Sequence, residues 1–146
     1  MPTNQGQEFG PEWDGWPPSM IAGDLRVWKL VRVQMLKDAL RVFYDVRVGD
    51  GQPAPPGTDE TFTKLWTGMT QRRIDVLIEY AAYWRLIELR EDAHEQEIGR
   101  LEMYEMLYGR DPINKKTVVL TLISSTHSKD IEDLARLKGI EYIIIR

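Results

Sequence analysis

The sequence predicts a mainly helical fold, a bundle of three to four helices with an extended N-terminal arm and a small C-terminal strand–helix–strand element. Three observations predict it. Residues 70–109 repeat apolar side chains at steps of three and four, with a single capping signal between two such runs. Residues 24–45 carry a second stripe of that period. Runs of β-branched residues strong enough for strands appear only beyond residue 116.

Residues 1–23 hold Gly6, Gly10, Pro11, Gly15, Pro17, Pro18 and Gly23, which argues against regular structure. Phe9, Trp13, Trp16 and Met20 lie among them, and tryptophans hide a large apolar area when they dock. The segment is therefore expected to be an arm that packs on its own core or on a neighbouring molecule.

The helical body is expected over residues 24–112. Asp24 is placed to cap a helix reaching about Asp45, with Trp28, Val31, Met35, Ala39 and Val42 as its stripe. Glycine and proline make residues 49–57 a loop. Thr58 or Asp59 then caps a short helix that Gly68 ends. Thr70 opens the next predicted helix, with Ile74, Leu77, Ile78, Ala81 and Trp84 inward and Ala81–Ala82 allowing close helix approach. Asp92 and Glu95 resemble a capping box for a following helix, which buries Ile98, Leu101, Tyr104, Leu107 and Tyr108 and stops near Gly109.

Residues 113–146 change character. Residues 117–123 and 140–145 are β-branched runs, and Ser128 caps the helix between them before Gly139 ends it. Strand, helix, strand at this spacing predicts a parallel, right-handed unit. Two parallel strands do not make a stable sheet, and residues 45–48 are the one weak strand candidate elsewhere. The reading is that another chain completes the sheet by strand addition.

The 146 residues predict one domain with an appended arm, and the absence of cysteine excludes disulfides and thiolate chemistry. A net charge of −4 argues against a general nucleic-acid binder. Charge is uneven: residues 24–48 carry a net +3 and residues 79–105 a net −5, which suits packing between copies. No basic-then-apolar leader or membrane-length apolar run is visible, so a soluble chain made in a cytoplasm is expected, without a membrane partner.

Catalytic chemistry finds little footing in the sequence. His94 stands in an exposed acidic turn where only Glu97 shares its side, too few converging ligands for a metal site. His127 lies in the loop Ser124–Ser128, where Asp130 could orient a Ser–His pair, but Ser and Thr there are what helix capping selects. Glu79, Glu88, Glu102 and Glu105 follow helical spacing, and nothing in the sequence buries one of them as paired acids require; Glu102 and Glu105 read as a solvent face. No catalytic residue, metal ligand or cofactor is expected. Arg72 and Arg73 at a helix start oppose the helix dipole and point to an anionic partner, DNA phosphate or an acidic protein surface.

The run "AAYWRLIELRED", a break, and "QEIGRLEMYEMLYGRD" with Tyr104 and Tyr108 near its end resemble the helical body of head–tail connector proteins of tailed bacteriophages, the adaptor or neck family beneath the portal. The resemblance implies a non-enzymatic virion protein, assembled in the host cytoplasm as a ring, often a dodecamer. Its partners would be the portal and tail or neighbouring neck proteins, with DNA passing through the channel without sequence-specific binding. On that expectation Trp13, Trp16, Tyr142, Ile143, Ile144 and Ile145 form oligomer or partner contacts, and Arg26, Lys29, Arg32, Arg41, Arg72 and Arg73 face the DNA channel or an acidic partner. The alternatives are a small helical regulatory or nucleic-acid-binding protein and an enzyme using the Ser124–Ser128 loop.

Overall fold

The computed structural model describes residues 3–111 and 115–145. Its centre is a six-stranded mixed sheet in the order β1-β2-β3-β4-β5-β6, which overturns the expected helical bundle. The elements run β1 (Glu8–Phe9), α1 (Ala22–Leu36), β2 (Arg41–Val48), α2 (Glu60–Thr70), β3 (Arg72–Glu79), β4 (Tyr83–Arg90), α3 (Glu95–Gly109), β5 (Thr117–Ser124), α4 (Lys129–Leu137) and β6 (Glu141–Ile144). Strands β1 to β4 pair antiparallel, while β4, β5 and β6 pair parallel, with α3 and α4 as the crossovers.

Two corrections account for the difference. The helix expected over 24–45 stops at Leu36; Asp38 turns the chain with a φ of 65°, and "RVFYDVRV" becomes β2. Rich in β-branched and aromatic residues, that segment fits a pleated, covered surface. The helix expected from Thr70 is instead the hairpin β3–β4. Ala81–Ala82 is its two-residue bend, closed by the Tyr80 amide donating to the Tyr83 carbonyl at 2.8 Å, and not a helix contact. The sheet beside β5 and β6 is therefore completed by the chain's own strands, and no second chain is needed for it.

Both faces of the sheet are covered. Trp28, Val31, Met35 and Leu36 of α1 pack on Val42, Tyr44, Val76, Ile78, Ile87 and Leu89. Ile98, Leu101, Tyr104 and Tyr108 of α3, with Ile131 and Ala135 of α4, cover Phe43, Leu77, Trp84, Leu86 and Leu122 on the other face. Each large side chain removed from water here contributes about 1.5–3 kcal/mol. Phe9, Trp13 and Met20 of the arm extend the α1-side core. By contrast α2 buries none of its residues, although Asp59 caps it by accepting from the Phe62 amide at 2.7 Å.

Two irregularities in the sheet prepare the site. Register pairs Tyr44 with Val76 and Val46 with Ile74, so Asp45 and Asp75 lie at the step between. At that step the pleat slips: Val42, Tyr44, Val76 and Ile78 face α1, whereas Val46, Val48 and Ile74 face α3. Asp45 takes the slip with a φ of 54°, in the left-handed region that aspartate tolerates better than most residues. The second irregularity is a fork. The β3–β4 ladder ends at Val76 and Ile87; beyond it β3 stays with β2 down to Arg72, while β4 stays with β5 up to Arg90.

Candidate functional site

A cavity of about 800 Å³ opens at this fork. Asp75 comes from β3, Glu88 and Arg90 from β4, Arg100 and Tyr104 from α3, and Asp24 from the first turn of α1. Residues 48–52 and the junction of α2 with β3, Thr70 to Arg73, close the opposite wall.

Strand divergence frees the Leu89 amide from a ladder partner, and Asp75 Oδ2 accepts it at 2.8 Å. Asp75 lies deep in the protein, yet part of its surface opens onto the cavity. Glu88 is buried to 1 % exposure. Its Oε1 lies 3.3 Å from Arg90 Nη2 and 3.8 Å from Arg100 Nη1. Its Oε2 is buried with no hydrogen-bond partner. The Tyr104 hydroxyl is near enough to influence the Glu88 carboxyl without completing a hydrogen bond to it. Such an orphan is costly, because a buried polar atom ordinarily finds a partner.

Arg90 sits among the acids. It reaches Asp24 Oδ2 at 3.0 Å and Glu97 Oε1 at 3.2 Å, and donates to the Leu89 carbonyl at 3.0 Å. Arg100 Nη1 lies 3.5 Å from Glu97 Oε1. Glu97 is held by the start of α3, where its Oε2 accepts from the His94 amide at 2.8 Å. In this cluster Asp24, Asp75, Glu88 and Glu97 stand against Arg90 and Arg100.

The electrostatics follow from burial and the excess of acids. Removal from water, then the neighbouring Asp75, pushes the Glu88 carboxyl up to about 9. Removal from water likewise raises Asp75 to about 7, against the Leu89 amide and Arg90, which pull it down. The two titrate as a pair. Asp24 is also raised by burial, with Arg90 opposing. Among the described residues, no group of three or more His, Cys, Asp or Glu side chains has metal-holding geometry. Any ion at Asp75 and Glu88 would therefore take its remaining ligands from water, carbonyl groups or substrate.

The residues singled out in the sequence are scattered. Only Arg72 and Arg73 line this cavity, and Arg73 pairs with Asp45 at 3.1 Å. Arg26 pairs with Glu91, Lys29 is exposed, Arg32 donates to the Trp13 carbonyl at 2.6 Å, and Arg41 meets Glu79 at 2.6 Å. Trp13 packs against Phe9 and Tyr44 of its own chain, while Trp16 is 60 % exposed. Tyr142 donates to the Thr126 carbonyl at 3.1 Å; Ile143 and Ile145 pack toward the α1-side core, and Ile144 is half-buried.

The Ser124–Ser128 loop does not assemble a Ser–His pair. His127 Nε2 lies 2.6 Å from Glu132 Oε2, while Ser124 and Ser125 donate to the Glu91 carbonyl. His94 pairs with Asp92 at 3.3 Å on the surface.

The residues that meet in the cavity were not singled out. Glu88, whose helical spacing shows no sign of burial in the sequence, is one of the most buried polar side chains, and Asp75 is not among the candidates. The signal available is symmetry about the bend: Asp75 precedes Ala81 by as many positions as Glu88 follows Ala82. Comparison with family models, with curated proteins and with solved structures finds no match. The spacing on which the connector resemblance rested belongs, over 72–90, to two strands and not to a helix.

Proposed function

We propose that the protein hydrolyses phosphodiester bonds of a nucleic acid in this cavity, using a divalent cation of the Mg²⁺ or Mn²⁺ kind. The observation that carries the reading is the buried, partnerless Glu88 Oε2 beside Asp75, in a cluster of four carboxyls against two guanidinium groups. Two protons or one divalent cation make up the missing positive charge. Mg²⁺ commonly binds through one or two carboxylates and completes its shell with water and substrate phosphate. A polyphosphate ester thus supplies the ligands that the described side chains do not.

The ion would supply charge stabilisation at the phosphoryl oxygens and an acidified water. The chain supplies the rest. The Leu89 amide fixes Asp75, and Arg90 and Arg100 hold one oxygen of Glu88, while the other is buried without a hydrogen-bond partner at the cavity wall. An arginine does not surrender its proton at ordinary pH, so Arg90 positions and neutralises but accepts no proton from water. That role falls to Asp75 or Glu88 once ionised.

The test is cleavage of single- and double-stranded DNA and RNA by the purified chain with Mn²⁺ or Mg²⁺. Activity abolished by EDTA, and lowered about a thousandfold in D75N and E88Q, is expected, since several kcal/mol of transition-state stabilisation go with the ion. Undiminished cleavage by E88Q would sink the proposal. The raised Glu88 carboxyl favours one other reading, metal-free hydrolysis with Glu88 as general acid; EDTA-resistant activity that disappears in E88Q identifies it.

A further inference from the structure

Three arginines crowd the open end of the β2–β3 ladder. Arg47 and Arg73 are direct cross-strand partners, and Arg72 stands opposite Val48 in the next step of the register. Like charges facing each other across strands destabilise a sheet unless something compensates. Asp45 compensates Arg73 at 3.1 Å. Neither the Arg47 nor the Arg72 side chain has an ion pair or hydrogen bond among the described residues. Arg47 is in addition half-buried, where an unpaired guanidinium is least comfortable.

Their placement says what would compensate them. Arg72 and Arg73 line the carboxylate cavity. Arg47 lines a second cavity, of about 850 Å³, between residues 3–6 of the arm and α2, whose other charged lining residues, Lys64 and Glu60, pair at 3.6 Å. Gln71 lines both cavities, which therefore adjoin, with Asp75, Glu88, Arg72 and Arg73 on one side of it and Arg47 and Lys64 on the other. Gln71 is itself fixed, its side-chain amide donating to the Gly49 carbonyl at 2.7 Å.

We infer that Arg47 and Arg72 form a phosphate-binding subsite for the nucleic-acid strand beyond the scissile bond, and that the second cavity is the path of that strand. The inference rests on the function proposed above and deepens it. Acids alone would bind a cation; acids beside two unpaired arginines, Arg72 and Arg47, bind a cation together with successive phosphates. Each arginine takes one phosphate and displaces the counterion that phosphate carried.

The test is binding of a fluorescent single-stranded oligonucleotide, in EDTA so that no cleavage intervenes, over a series of salt concentrations. R47A and R72A are each expected to weaken binding and to reduce the slope of log K against log salt by about one. With Mn²⁺ restored, both should raise KM on long oligonucleotides while kcat stays within about twofold. A dinucleotide carries no phosphate beyond the scissile one, so on it the effect of R47A on KM should disappear. Unchanged binding and salt slope in R47A and R72A, with D75N still inactive, would overturn the subsite and leave the hydrolytic reading standing. A parent protein that binds no oligonucleotide at low salt would overturn both.

Discussion

Glu79 and Glu88 occupy opposite ends of one hairpin, and both are withdrawn from water. Glu79 ends β3, where Arg41 Nε reaches it at 2.6 Å and Lys116 Nζ at 2.8 Å. Hydrogen bonding to Arg41 holds its carboxyl below the ordinary value. Glu88 lies where the hairpin has forked, shares its arginines with other acids and keeps one oxygen unpaired, so its carboxyl is displaced upward. A glutamate that serves the fold is surrounded by cations. A glutamate available for other work is surrounded by competitors, and the fold tolerates the strain.

The contrast breaks most sharply on activity. E88Q should lose about a thousandfold in nucleic-acid cleavage while E79Q stays within a few-fold of the parent, measured as kcat/KM with Mn²⁺. Equal losses in both would mean that the hairpin matters only as a scaffold.

Stability should reverse the order. E79Q weakens charged hydrogen bonds to Arg41 and Lys116 and should cost about 2 kcal/mol in denaturant unfolding at pH 7. E88Q removes an unfavourable buried acid and should be neutral or stabilising at pH 8.

The pH limbs differ in sign. Because folding lowers the Glu79 carboxyl, its contribution is present above the ordinary value of 4.5 and is lost as pH falls through the depressed folded one. Because folding raises Glu88, the folded protein holds a proton the unfolded chain has released between 4.5 and about 9, and stability declines as pH rises through that window. E79Q should flatten the acid limb of the stability profile, and E88Q the neutral-to-alkaline one.

A divalent cation competes with those protons. The rise in Tm on adding Mn²⁺ should therefore be larger at pH 8.5 than at pH 6, and should vanish in D75N. A shift independent of pH would place the ion away from the pair. The smallest effect concerns the pleat slip. D45A should be about 1 kcal/mol less stable than D45G, since both lose the Arg73 pair but only glycine accepts a φ of 54° without cost.

Much of the fold is legible where one physical signal dominates. The caps at Asp59 and Ser128, the stripe of α3 and the parallel unit from β5 to β6 all read directly. The hairpin does not, because helices cover both faces of β3 and β4 and apolar residues occupy both sides of each strand. Ile74, Leu77, Ile78 and Trp84 then satisfy a helical period by coincidence of composition. Its bend offers no correction either, since Ala81 and Ala82 lack the positive φ that would have demanded glycine or asparagine. The site was lost with the hairpin: Asp75 and Glu88 are neighbours only when the chain doubles back between them. Arg72 and Arg73 stand out in the sequence whether they start a helix or a strand, and Arg73 meets Asp45 of its own chain.

Helix α2 borders the second cavity and its end borders the first, yet it buries none of its residues and leaves Phe62, Leu65 and Met69 in water. Little apolar contact would be forfeited if it came away, so its opening free energy lies at the low end of the molecule's range. Its backbone amides should exchange with deuterium well before those of α3, whose inner face is sealed by Leu101 and Tyr108. If a nucleic-acid strand is the ligand, the wall it passes is thus among the least tightly held parts of the protein, and its entry needs no disturbance of the sheet that holds Asp75 and Glu88.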